Sequence, residues 1–250
     1  MMKKIVSTLF SLLLCMAIFA QSDLLKQADQ AYSQGDFKKA AALYQEVAST
    51  EGVSSDLYYN LGNAYFKERA YPESILNYER ALLLNPGNGD AKFNLQLAKM
   101  QITDKIEPIG HFFLTDWFNA VRDLKSSNFW ATWGVIAFIL TIAALFLYVF
   151  SRKMILRKVG FFGGAFLLVV CIFSNIFAAS QKEKLELREH AIVFTPTVTV
   201  KSSPAESGTD LFVIHEGTKV KVKSTLAGWS EIELEDGNLG WLPSGDIEVI

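Results

Sequence analysis

Three histidines, two cysteines and a spread of carboxylates are the side chains of this chain that ordinary catalysis could use. His111, His190 and His215 lie in separate regions, with no further ligands at the spacing a zinc site requires. Cys15 and Cys171 each sit inside an apolar run, so a disulfide or a shared metal site between them is implausible. No serine or cysteine stands in a nucleophile motif. Gly160-Phe161-Phe162-Gly163-Gly164 has the glycines of a phosphate loop. It falls within a long uncharged stretch, however, where small residues serve helix packing. The acids from Glu183 to Glu189 alternate with Lys182, Lys184 and Arg188, the pattern of a solvated helix or linker. The chain is therefore expected to be no enzyme and to need no cofactor or metal. A net charge of −2 over 250 residues offers no electrostatic case for nucleic acid.

What remains is binding chemistry, and it sits in a repeat. Residues 21–54 and 55–88 superimpose without a gap at an offset of 34, and 89–102 begins a third copy. Matching pairs include Ala28/Gly62, Tyr32/Phe66, Phe37/Tyr71, Tyr44/Tyr78 and Asn60/Asn94. Such a period marks stacked helix pairs, each burying its apolar face against its neighbours. In the second copy Tyr58, Leu61, Gly62, Tyr65 and Phe66 make one helical stripe, and Ile75, Tyr78, Ala81 and Leu82 make another. A turn near Arg69-Ala70 separates them, and Asn85-Pro86-Gly87 stops the second. About two and a half units is short of the ~3 that usually suffice for stability, so something else must complete the array.

Tyr58, Leu61, Gly62, Tyr65, Tyr71, Tyr78, Ala81 and Pro86 resemble the spacing of the tetratricopeptide repeat. That resemblance implies an all-α solenoid that holds other proteins, with ligands in a groove lined by first helices. Asn60, Asn63, Lys67 and Asn94 would face that groove, similar to repeats that clamp a peptide carboxylate. The alternative is that asparagine at these positions serves the repeat itself. Tyr59 stands where such a clamp would want lysine.

Half the residues are hydrophobic, and the excess is concentrated. Lys3 and Lys4 precede an apolar run from Ile5 to Ala20, a secretory signal expected to be cleaved after Ala20. Phe129–Phe150 and Val159–Ser180 are each 22 residues without a charge. As helices they would extend ~33 Å, enough for a hydrocarbon core of about 30 Å. The connector 151–158 carries Arg152, Lys153, Arg157 and Lys158 with no acid, which places it in the cytoplasm and both flanking regions outside. No ionisable residue interrupts either run, which argues against a transport pathway. Between repeat and spans, residues 103–128 hold Phe113, Leu114, Trp117, Phe118, Val121 and Leu124 at helical spacing. This reads as an amphipathic helix in the membrane interface or as a lid on the repeats.

Residues 181–250 comprise a linker and a region of period-two alternation. Val198/Val200, Val220/Val222 and Ile232/Leu234 alternate with polar residues, and Asp236-Gly237 signals a hairpin. Several short strands in some 60 residues suggest a small all-β barrel. Val200-Lys201-Ser202-Ser203-Pro204, Glu216-Gly217-Thr218, Gly228-Trp229 and Asp236-Gly237 with Gly240-Trp241-Leu242-Pro243 resemble a bacterial SH3-like domain. The resemblance implies a surface for cell-wall peptide or protein, with Trp229, Trp241 and Pro243 as candidates. For Trp241 a place in the barrel core is the favoured alternative.

Signal, repeats, interfacial helix, two spans and SH3-like domain in this order resemble the BatE-like family of the Bacteroides aerotolerance (Bat) operon. That resemblance implies an inner-membrane scaffold working with von Willebrand A-type Bat proteins and a MoxR-type ATPase in oxidative-stress tolerance, both end domains being periplasmic. A sensor or tether that binds peptidoglycan is the alternative.

Overall fold

A computed structural model of the protein describes residues 23–110 and 112–250. The signal and Cys15, along with His111, lie outside the described residues. Helices α1 (Asp23–Ser33) and α2 (Phe37–Thr50) form the first repeat. Helices α3 (Ser55–Lys67) and α4 (Tyr71–Leu84) form the second, and α5 (Gly89–Lys99) begins the third. Local chemistry sets the helix starts. Asp36, Ser54 and Asn88 each cap a helix by accepting the backbone N–H three residues on, from Lys39, Leu57 and Ala91.

The two repeats reproduce one internal geometry. Tyr44 donates to Asp29 Oδ1 at 2.7 Å, and Tyr78, its counterpart, donates to Asn63 Oδ1 at 2.6 Å. Tyr32 meets Phe37 edge-to-face at 5.2 Å, and Phe66 meets Tyr71 at 5.8 Å. Within the second repeat the helices approach at Gly62, where an added Cβ would lie 2.7 Å from two ring carbons of Tyr78.

Seven strands follow the long helices: β1 (His190–Val193), β2 (Thr197–Lys201), β3 (Asp210–His215), β4 (Lys219–Leu226), β5 (Trp229–Glu233), β6 (Leu239–Pro243) and β7 (Ile247–Val249). They make one sheet in the order β3-β2-β6-β5-β4-β1-β7, with every adjacent pair antiparallel. The expected hairpin at Asp236-Gly237 joins β5 to β6, with Gly237 at φ 84°. The expectation of a closed barrel is corrected, because β3 and β7 end the sheet and do not pair with each other. Side chains occupy backbone groups of both end strands instead. Asp104 accepts the His215 N–H at 2.7 Å, and Arg80 donates to the Val249 carbonyl at 2.7 Å.

The sheet is no separate head. Strand β1 is buried along Ala191, Ile192 and Val193 because it is covered on both sides. Ala191 and Val193 join Val198, Val200, Val220, Ile232 and Leu242 in the sheet's core. Ile192, with Ile250, joins Ile75, Leu76, Tyr78, Leu95 and Ala98 of α4 and α5. What closes the unfinished repeat array is therefore a β-strand and not a further helix. The segment after α5 straps the two together: Ile102 packs in the helix cluster, Ile106 packs on the sheet cluster, and Ile109 donates to the Glu235 carbonyl.

Among the described residues, two helices are long and apolar enough to cross a membrane, α7 (Ser127–Phe150) and α8 (Met154–Leu187). They pack against each other through small residues. Gly160 admits the α7 backbone so closely that a Cβ would lie 2.7 Å from Ala144 O and Tyr148 N. Helix α8 continues without a break to Leu187, so the expected linker at residues 181–187 is helical and β1 begins three residues later. The short helix α6 (Phe113–Arg122) rests its Phe118 ring on Phe177 of α8 at 5.0 Å and leaves Phe113, Leu114 and Trp117 exposed.

Gly62→Ala tests the close approach within the second repeat. A helix-propensity gain of about 1 kcal/mol is outweighed by driving a methyl into a buried ring, which costs about 1–3 kcal/mol. The variant should have a lower unfolding midpoint in detergent, and an unchanged or higher one would show that Tyr78 moves freely.

Candidate functional site

The four groove candidates divide into two classes. Asn60, Asn63 and Lys67 occupy one face of α3 at spacings of three and four. Asn63 and Asn94 are brought together, with Asn94 Nδ2 donating to Asn63 Oδ1 at 2.8 Å. Asn94 also reaches the Tyr59 hydroxyl at 3.4 Å. With the Tyr78 hydroxyl bonded to the same oxygen, the Asn63 carbonyl already has two donors. Asn63 thus does for the second repeat what Asp29 does for the first, which favours its service to the fold. Lys67 is exposed and Asn60 half-buried, and neither belongs to that network.

The three sheet candidates lie together on one face. Trp229 sits opposite Pro243 in the β5–β6 register, and Glu231 sits opposite Trp241. Ser230, Ile232 and Leu242 between them are buried, so Trp229, Trp241 and Pro243 point to the other face and are half-buried there. The placement of Trp241 in a core is corrected. Gly240 and Leu242 take the inward positions, and a Cβ on Gly240 would lie 2.4 Å from Val200 Cγ1. Leu226 pairs with Trp229 from β4 and is exposed, extending the strip. The β4–β5 turn holds φ at 51° for Ala227 and 84° for Gly228, the positive pair that a two-residue hairpin requires. Lys201 lies opposite Trp241 on β2, and Lys223 is paired with Glu233, so the apolar strip has a charged rim. The face therefore sets aromatic side chains within a polar border.

Reasoning from sequence missed a third feature, the joint between repeat and sheet. Glu79 of α4 is buried between Lys219 Nζ at 2.8 Å and Lys99 Nζ at 3.4 Å. Burial pushes its carboxyl up, but the two ammonium groups more than offset this and hold it below its ordinary 4.5. Asp104 takes the His215 N–H, His215 Nδ1 and the Thr218 hydroxyl within 2.7–2.8 Å. Burial raises that carboxyl, and the hydrogen bonds from Thr218 and His215 bring it down to a net depression. His215 is therefore a fold residue. Beside this joint lies a cavity of about 500 Å³ whose lining includes Glu79, Asp123, Gln181, Lys184, His190 and Lys219. Contacts separated by over a hundred residues leave no periodic trace. One signal was available: Ala191-Ile192-Val193-Phe194 is a continuous apolar run, the mark of a strand covered on both faces.

Comparison with known families supplies the name of the helical unit. A tetratricopeptide-repeat family model matches residues 55–88, the span of α3 and α4. Residues 55–88 are a tetratricopeptide repeat. Repeats of this family generally mediate protein–protein interactions. No curated protein matches the chain. Among the described residues, no group of three or more His, Cys, Asp or Glu could hold a metal ion.

The joint makes a pH prediction. Because the folded-state value of Glu79 is depressed, its contribution is present above its ordinary 4.5 and is lost as pH falls below that. Glu79→Ala should cost about 3 kcal/mol at neutral pH, since it strands Lys219 beside an apolar core. It should also flatten the acid limb of a pH–stability profile. An acid limb that survived the substitution would show that other carboxylates govern it.

Proposed function

We propose that this protein is a non-enzymatic membrane adaptor that docks other proteins on a tetratricopeptide repeat and on the tryptophan-bearing face of its sheet. One observation carries the reading. The repeat and the sheet share a core through β1, and both ends of the apolar hairpin α7–α8 leave from that same body. Gln181 of α8 donates to the Arg122 and Lys125 carbonyls just ahead of α7 at 2.7 Å, so the hairpin's two ends are tied together. Length and apolarity of α7 and α8 support two membrane spans. The acid-free basic connector supports a cytoplasmic turn with the docking body on the outer side. Exposed Phe113, Leu114 and Trp117 on α6, beside the spans, support burial of that helix in the outer interface.

The SH3-like motifs and the order of elements support membership of the BatE-like group of Bat operon proteins. The partners would then be von Willebrand A-type Bat proteins in an inner-membrane complex linked to oxidative-stress tolerance. A second reading, a tether to peptidoglycan, draws on the Leu226–Trp229–Trp241–Pro243 strip.

Reporters fused after residue 100 and after residue 250 should both read as exported, and a cytoplasmic signal at either site overturns the topology. Photo-crosslinkers at Asn60 and Lys67 should capture specific membrane proteins from native membranes. Capture of the same set by a crosslinker at Glu206, an exposed residue outside the repeat, refutes repeat-mediated docking. Trp229→Ala should leave the unfolding midpoint nearly unchanged, since the ring is only half-buried. If it weakens retention on purified peptidoglycan while the crosslinked set persists, the tether reading prevails for the sheet.

A further inference from the structure

The far end of the helical hairpin carries a second concave feature, remote from the docking body. A cavity of about 470 Å³ opens where α7 turns into α8, lined by Tyr148, Arg152, Arg157, Lys158, Phe161 and Phe162, together with Met154. Its volume falls in the about 300–1,000 Å³ range of small-ligand sites. Its chemistry is divided into two halves. Arg152, Arg157 and Lys158 supply three positive charges. Phe161, Phe162 and Met154, each more than half exposed, supply an apolar wall that continues along the outer face of α8.

Among the described residues none of the three charges forms an ion pair. The nearest acids in sequence are Asp123, ahead of α7, and Glu183, near the far end of α8. At ~1.5 Å per helical residue that is more than ~30 Å away. One cation is also held in place: the Arg157 guanidinium lies over the Tyr148 ring at 5.5 Å, and that ring packs on Phe161 at 5.7 Å. A planar guanidinium fixed on an aromatic ring keeps its N–H groups for an oxyanion. Lys153, in the same connector, does not line the cavity.

We propose that this cavity binds the headgroup of an anionic phospholipid, with the phosphate against Arg157, Lys158 and Arg152 and an acyl chain along Phe161 and Phe162. The site rests on the membrane reading above, because only a spanning hairpin brings it to the depth of lipid headgroups. A topology signal needs positive charge anywhere in the connector, whereas a headgroup site needs it at the cavity. Charge-matched substitutions separate the two.

The test uses full-length protein in detergent, given equimolar phosphatidylglycerol and phosphatidylcholine, with bound lipid counted by native mass spectrometry. The wild type should retain phosphatidylglycerol in preference. Arg157→Gln and Lys158→Gln should each weaken that retention about fivefold, the contribution of one basic residue beside an anionic headgroup. Lys153→Gln, which removes the same charge from the same connector, should change it less than about twofold. Equal retention of both lipids, or a loss in Lys153→Gln matching that in Arg157→Gln, overturns the site. Displacement of the lipid by millimolar inorganic phosphate would assign the cavity to a free anion and also overturn it. Alkaline carbonate washing of native membranes keeps the two failures apart. Protein that washes off refutes the spanning hairpin, whereas protein that stays without lipid preference refutes only the headgroup site.

Discussion

Everything outside the first repeat depends on one strand being wanted from two sides. Strand β1 offers Ala191 and Val193 to the sheet and Ile192 to the helices, so neither layer is complete without it. Full burial of an aliphatic side chain contributes roughly 1.5–3 kcal/mol. Ile192 and Ile250 between them therefore stabilise the junction by several kcal/mol before any polar contact is counted, a large share of a typical domain's net stability of about 5–15 kcal/mol. A solenoid of so few units ordinarily leaves its last apolar face to a capping helix. Here a sheet takes that position, and two modules that could have been independent become one body.

The polar contacts at this junction do a different job. Glu79 between Lys99 and Lys219, Arg80 on Glu248 and Val249, and Asp104 on the β3–β4 turn all bridge elements far apart in sequence. Desolvating charges offsets much of what their attraction contributes, so such pairs add little net stability over apolar residues of the same shape. They do penalise misplacement. An apolar face could slide along another at small cost, but a buried carboxylate left between displaced lysines could not. The hydrophobic cluster holds the sheet to the repeat, and the ion pairs fix where on it the sheet rests.

The parts that are legible in the sequence are those with a period. The 34-residue offset yields the helix pairs down to equivalent tyrosines, and the uncharged runs yield the two long helices. Alternation around Ile232 and the Asp236-Gly237 turn yields the β5–β6 hairpin. Site residues are legible only in part. Trp229, Trp241 and Pro243 do share a face, although Trp241 is on the side opposite to the core because Gly240 and Leu242 take the inward positions. Asn63 bears the signature of a ligand-binding position and yet completes the hydrogen bond of Tyr78. Barrel closure failed as an expectation because strand count and turn spacing say nothing about the outer edges. Here those edges are met by Arg80 and Asp104, from helical and connecting segments more than a hundred residues earlier.

The two-sided burial of β1 also imposes an order on biogenesis. Ile75 and Leu76 emerge from the ribosome more than a hundred residues before Ile192, the side chain that covers them. Both long apolar helices are synthesised in between. At translation rates of about 5–20 residues per second, the second repeat spends several seconds or more with its apolar face open. During that interval it is the kind of surface that holding chaperones recognise. Closure of the core comes after the hairpin has been made, so formation of the joint body requires that the whole segment between its two halves has already been synthesised.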